Sequence, residues 1–188
     1  QGRLSAQWQA QAWAVQAEQL GFDWQLPPEG ELRHWAPSSW SVESASAARD
    51  GQQHLRLQLQ QADLGLAGAL LQSLPVPHTL RQQAARWQPA GLLQQLQLRW
   101  SAGSDQPSYQ ASGQLRQLQL QGQAAEQGVG TPGVQGLDVD FDLSEHGGSA
   151  QLRMRQGVLQ FPGVFEEPDI PLQRLQARLQ WTQRQGDW

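Results

Sequence analysis

A mainly antiparallel β fold with two short helices is predicted, and three observations predict it. Leu and Gln alternate over many short stretches, turn-forming residues separate those stretches, and only one region carries helical spacing. Alternation puts apolar side chains on one face of a strand and polar ones on the other. The 36 Gln among 188 residues are therefore the solvent face of strands rather than a disordered Gln-rich tract. Leu is a weaker strand former than Val or Ile, and with 27 Leu against 8 Val and 1 Ile the pattern has to override propensity.

Taken in order, Phe22 to Leu26 and Glu31 to Trp35 are strands split by the turn Pro27-Pro28-Glu29-Gly30. Ser41 to Ala48 and His54 to Gln60 flank Asp50-Gly51, a pair that tolerates the positive φ angles of a type I′ hairpin. From Asp63 to Leu74 the spacing of Leu64, Ala67, Leu71 and Leu74 predicts a helix, with Asp63 as N-cap and Pro75 as stop. A second short helix fits Thr79 to Trp87, with Leu80, Ala84 and Trp87 on one face before Pro89 and Gly91 end it. Strand alternation resumes at Leu96-Gln97-Leu98-Arg99-Trp100.

Leu137, Val139, Phe141 and Leu143 alternate with Asp138, Asp140 and Asp142. After the turn Glu145-His146-Gly147-Gly148, Ala150, Leu152 and Met154 alternate with Gln151, Arg153 and Arg155. An acidic outer row thus meets a basic one, which favours the pairing by roughly 0.2 to 1 kcal/mol per opposed pair. Leu175, Ala177, Leu179 and Trp181 make the last strand. A Gly-x-Leu-x-x-Leu-x-Leu unit occurs at Gly91 and again at Gly113, with a shortened copy from Gly30 to Trp35. That period is about one hairpin long and suits a sheet that grows hairpin by hairpin.

Composition excludes several chemistries. The chain has no Lys and no Cys, which removes Schiff-base lysines, P-loop lysines, thiol nucleophiles, disulfides and zinc-thiolate sites. Thirteen basic against 17 acidic residues leave no electrostatic footprint for nucleic acid. The longest apolar stretch, Leu64 to Leu71, is far short of the ~20 residues of a membrane-spanning helix. The chain opens directly on the alternation of Trp8, Ala10 and Ala12 and closes on Arg184 to Trp188 with no cap, so it reads as a section of a longer protein.

An ordered series of motifs identifies a family. Leu74-Pro75-Val76-Pro77, Trp87-Gln88-Pro89-Ala90-Gly91, Leu96-Gln97-Leu98-Arg99-Trp100 and Tyr109-x-x-x-Gly113 come first. Pro132-Gly133, Gly136-Leu137, Gly147-Gly148, Leu159-x-Phe161-Pro162-x-x-Phe165, Pro168, Pro171-Leu172 and Leu179-x-Trp181 follow. This series, over roughly residues 55 to 188, resembles the central region of the AsmA-like proteins, YhdP branch. The resemblance implies an elongated, U-shaped antiparallel sheet with an apolar concave face. It further implies a periplasmic segment of an inner-membrane-anchored protein of the Gram-negative envelope, associated with movement of phospholipid toward the outer membrane.

On that basis residues 1–188 are one β-groove segment: N-terminal strands in 1–60, a helical insertion in 61–90 and C-terminal strands in 91–188. The expected groove-lining residues are Leu55, Leu57, Leu59, Leu96, Leu98, Trp100, Leu118, Leu120, Leu137, Val139, Phe141, Leu143, Leu152, Met154, Leu175, Leu179 and Trp181. The expected partners are phospholipid acyl chains, with no nucleic acid, no cofactor and no metal. Membrane contact is expected only through parts of the full-length protein outside this chain.

No catalytic residue stands out. Asp138, Asp140 and Asp142 lack the glycine and loop of an EF-hand and read as a solvated strand face. His146-Gly147-Gly148 has no accompanying nucleophile elbow and reads as a turn. His34, His54, His78 and His146 have no metal-ligand spacing, and Glu166, Glu167 and Asp169 read as an exposed connector. Two other readings stand beside the lipid groove: a structural envelope module with a closed core, and a carbohydrate-binding β-sandwich using Trp8, Trp13, Trp24, Trp35 and Trp40.

Overall fold

A computed structural model describes residues 2–25, 32–46, 52–67, 86–102, 108–125 and 128–182. Their backbone forms nine strands: β1 (Arg3–Gln9), β2 (Ala12–Gln25), β3 (Leu32–Ser46), β4 (Gln53–Asp63), β5 (Ala90–Ala102), β6 (Ser108–Leu120), β7 (Gly133–Ser144), β8 (Gly147–Gln160) and β9 (Asp169–Thr182). Order in space equals order in the chain, and every strand is antiparallel to the next. The sheet is an unclosed meander with β1 and β9 at its edges.

Local sequence accounts for the connections that are described. Glu145 and His146 make the turn between β7 and β8, and Ser144 pairs with Gly147 across it. The turns at Pro27–Gly30 and Asp50–Gly51 lie outside the described residues, but the strands they would join do pair, Gln25 opposite Leu32 and Ser46 opposite Gln53. Of the first predicted helix, one turn is described, α1 (64–67). Asp63 Oδ1 accepts the Leu66 N–H at 3.0 Å and so caps it. Residues 68–74 lie outside the described part. Of the second predicted helix, Arg86 and Trp87 are helical and the remainder lies outside as well.

Strict alternation is broken in a regular way. Gln19, Gln95 and Gln117 have φ of 48°, 52° and 51°, Gln156 has 54°, and Gly136 has 79°. At each, the apolar positions step by three instead of two: Ala17 to Leu20, Leu93 to Leu96, Leu115 to Leu118, Met154 to Gly157 and Val134 to Leu137. Register shifts fall at these places between β2 and β3, β5 and β6, β6 and β7, and β7 and β8. These are β-bulges, in which one extra residue lets the apolar series stay on one face while the strand bends and twists more. The repeat at Gly91 and Gly113 is thereby explained: its inner spacing of three holds Gln95 in one copy and Gln117 in the other.

Neighbouring strands capture the amides that the bulges free. The Gln117 N–H donates to Asp138 Oδ1 at 2.9 Å, and the Gln19 N–H to Ser39 Oγ at 3.0 Å. A left-handed backbone costs a non-glycine residue about 1 to 2 kcal/mol. Gln117→Gly is therefore expected to leave stability unchanged or to raise it slightly. Gln117→Val, β-branched at the same φ, is expected to lower it by about 1 to 2 kcal/mol. Paired urea titrations measure both, and equal midpoints would remove the strain argument.

Long-range packing is strand against neighbouring strand, so the described residues form a single layer. Buried hydrophobics are few: Ala17, Ala62, Leu118, Val134, Val139, Ala150 and Met154, all on one face, with Met154 the one large side chain fully enclosed. No Trp of described burial is among them. Two packed sheets, as a sandwich requires, are not present among the described residues.

Candidate functional site

The registers assemble the apolar face into rows that run across the strands. One row passes through all nine: Ala6, Val15, Val42, Leu57, Leu98, Ala111, Leu143, Gly148 and Trp181. Beside it run Leu4, Ala17, Trp40, Leu59 and Leu96, taken up beyond the β5–β6 bulge by Gly113, Phe141, Ala150 and Leu179. Three shorter rows follow: Ala62, Leu93, Leu115, Val139, Leu152 and Ala177; Leu118, Leu137, Met154 and Leu175; and Leu120, Val134, Leu159 and Ile170. At the opposite strand ends Trp8, Trp13, Ser44, Leu55, Trp100 and Tyr109 form the outermost row.

Each of the seventeen sequence-predicted lining residues lies on one of these rows. Sequence reasoning missed Val15, Trp40, Val42, Leu93, Leu115, Val134, Leu159 and Ile170. The signal for Leu93 and Leu115 was the step of three within the repeat, which period-2 reading cannot place. That both parities share one face is seen in the packing: Leu118, Val139 and Ala150 are buried together, and Leu115, Leu120, Leu137, Phe141 and Leu152 pack on them.

Two aromatic rings on this face lie against glycines. A Cβ at Gly113 would fall 2.9 Å from Phe141 Cζ, and one at Gly148 would fall 2.8 Å from Trp181 Cζ2. Glycine is needed at both positions because the neighbouring ring occupies the side-chain space. Among the described residues the cover over the face is small. Leu64 of α1 packs on the Leu118 cluster, while Leu4, Trp8, Trp13, Tyr109, Leu179 and Trp181 remain substantially exposed. Trp35 stacks on Phe22, centroids 5.7 Å apart, and donates its Nε1–H to Ser38 Oγ at 2.9 Å.

The other face is polar and partly charged. Asp140 lies between Arg116, whose Nη1 is 2.7 Å from Oδ1, and Arg153, which bonds Oδ2. The Arg116 contact is an ion pair without good hydrogen-bond alignment. Asp138 serves the Gln117 bulge, so of the three carboxylates expected to be merely solvated, two have specific partners. Two clefts of about 620 and 980 Å³ draw on both kinds of residue: the first is lined by Trp13, Leu55, Trp100 and Tyr109 of the outermost row together with Glu43, Arg56 and Arg99, and the second by Trp40, Leu59 and Leu96 together with Gln16, Glu18, Gln58 and Gln97. Among the described residues no group of three His, Asp or Glu is placed to hold a metal ion.

Burial raises the Asp140 pKa, but the guanidinium groups of Arg116 and Arg153 outweigh it, and the net value is lowered below 3.8. Glu145 is lowered below 4.5, by its own backbone N–H and then by that of Tyr109, which it accepts at 3.0 Å. A carboxylate with a depressed folded-state pKa stabilises the fold at pH above its unfolded value and loses that contribution as pH falls through the folded one. Stability is therefore expected to decline on acidification below about pH 4.5, and again below about pH 3.8. Asp140→Asn should cost about 1 kcal/mol at pH 7, a value discounted for the exposure of Arg153. It should also flatten the lower part of the pH profile, and an unaltered profile would exclude Asp140 as its source.

No helix among the described residues is long and apolar enough to cross a membrane. No curated protein and no solved structure matches the chain. The sequence profile of the YhdP protein family matches residues 1–188, and the chain belongs to that family.

Proposed function

We propose that the apolar face is a section of a hydrophobic path that carries phospholipid acyl chains across the Gram-negative periplasm, with no catalysis. The observation that carries this reading is the continuity of the apolar rows across nine strands, with no second layer over them among the described residues. Eight strand spacings of ~4.8 Å make a path of roughly 40 Å. One leaflet's hydrocarbon is ~15 Å thick, so the path exceeds a single tail. Each methylene laid on the face gains up to ~0.8 kcal/mol, and rows of Leu, Val and Ala hold a tail equally well at neighbouring positions, which suits sliding.

Family membership supports an envelope setting, and the bulges supply the bending that a trough needs. We propose that these curve the sheet toward its apolar side, and that residues 1–188 act as one groove segment within a longer protein. Membrane attachment would come from other parts of that protein. Apolar rows so sparsely covered among the described residues favour an occupant over a dry-cored structural module.

Native mass spectrometry of the protein released from membranes in mild detergent tests the reading. Phospholipid adducts are expected. A lipid-free protein, with its Trp fluorescence responding to oligosaccharide and not to lipid, would replace this reading with sugar binding by the exposed Trp8 and Trp13.

A further inference from the structure

Outside the apolar face, one end of the sheet carries a second apolar surface. Residues 161–168 join β8 to β9, and residues 121–132 join β6 to β7. The Gly130 N–H ties the two connections together by donating to the Pro162 carbonyl at 2.9 Å, and within the β6–β7 connection an antiparallel bridge joins Gln123 to Thr131. Within the β8–β9 connection the Phe161 N–H donates to Pro168 at 2.8 Å and the Val164 N–H to Phe161 at 3.2 Å. Gly163, at φ 78°, fits against Gly128 and Val129, where an added Cβ would fall 2.8 Å from the Gly128 carbonyl oxygen.

This build holds three apolar side chains outward. Val129 is 68% exposed, Phe165 53% and Val164 47%. Phe161 supports Phe165 edge-on at 6.1 Å. Burial does not explain these residues, and the connection does not need them for flexibility. Glu166 and Glu167, both exposed, follow Phe165 directly. Arg86 meets these connections at Thr131 Oγ1, while Asp169 is held by Gln160.

We propose that this loop pair is a docking surface for a protein partner that offers an apolar pocket flanked by basic residues. Phe165 is the anchor, Val129 and Val164 complete the apolar contact, and Glu166 and Glu167 set orientation at the rim. A pre-ordered aromatic beside a charged rim has the anatomy of an interface centre, because little entropy remains to be lost on docking. The carboxylates select against a membrane as occupant. Insertion of Phe165 into an anionic headgroup layer would drag two negative charges with it, whereas basic residues on a protein would be attracted to them.

The test is photocrosslinking in cells, using the complete protein with a benzophenone amino acid at position 164. The expected result is an adduct to a different protein. Its yield should fall about five- to tenfold in Phe165→Ser and in Glu166→Lys/Glu167→Lys backgrounds. It should also fall as salt rises from about 0.1 to about 0.5 M in the isolated envelope, as screening of rim charges requires. Adducts to lipid alone, adducts only to a second copy of this chain, no adduct, or a protein adduct indifferent to both backgrounds would each overturn the proposal. Unchanged thermal unfolding of the variants shows that loss of yield is loss of docking. Bound phospholipid is a separate readout, so failure here leaves the lipid path standing, and the reverse also holds.

Discussion

Phe141→Asp is expected to abolish phospholipid binding along the face and, in the complete protein, to stop lipid passage. Phe141 stands on β7, two strands in from the β9 edge, packs on the Leu118, Val139 and Ala150 cluster, and lies over Gly113. A carboxylate there puts a charge in the path of every methylene that slides by, and it desolvates only at a cost of several kcal/mol. The same substitution is expected to lower stability by about 3 kcal/mol, from the lost ring and the stranded carboxylate. Phe141→Leu separates the two effects, because it keeps the surface apolar and should cost about 1 to 1.5 kcal/mol while retaining lipid. Adduct counts by native mass spectrometry, beside a melting curve for each variant, give the answer. A folded Phe141→Asp protein with its full lipid load would take Phe141 off the path.

Gly147→Val is the second large effect, and it acts on the fold alone. Gly147 starts β8 at φ 137°, and any Cβ there would come within 2.2 Å of the Trp181 carbonyl oxygen. The obstacle is backbone of the neighbouring edge strand, which cannot rotate away as a side chain would. Relief requires separation of β9 from β8 at the Gly147–Thr182 end of the ladder. Adding backbone strain to the clash gives an expected loss of about 3 to 5 kcal/mol. Hydrogen exchange should show it first at the amides of residues 178–182. Gly128→Ala, also at positive φ but with open space around it, should cost only about 1 kcal/mol. Similar losses for the two would mean that φ and not contact sets the price.

Much of the sheet was legible because alternation is a local signal. Leu55, Leu57 and Leu59 needed no tertiary information to be placed together, and neither did the acidic and basic rows at Asp140 and Arg153. The capped start of α1 at Asp63 was equally local. What alternation could not supply was the change of phase within strands. Leu115 and Leu118 have opposite parity and share a face only because Gln117 takes a left-handed conformation, and the Gln117 N–H is satisfied by Asp138, a residue 21 positions away. Gln has no intrinsic preference for that conformation, so nothing in its own chemistry announces the bulge.

The sequence by itself determined that the chain makes strands with one apolar and one polar face, that no Lys or Cys chemistry is present, and which family it resembles. These follow from side-chain type and spacing, which are properties of neighbours in the chain. Only the tertiary structure decided that the faces join into rows across nine strands, that the described residues form one layer, and that Phe165 and Val129 lie at the same end of it. Register and loop docking depend on hydrogen bonds between residues far apart in sequence, and a one-residue shift at a bulge would have turned half of each strand to the opposite side.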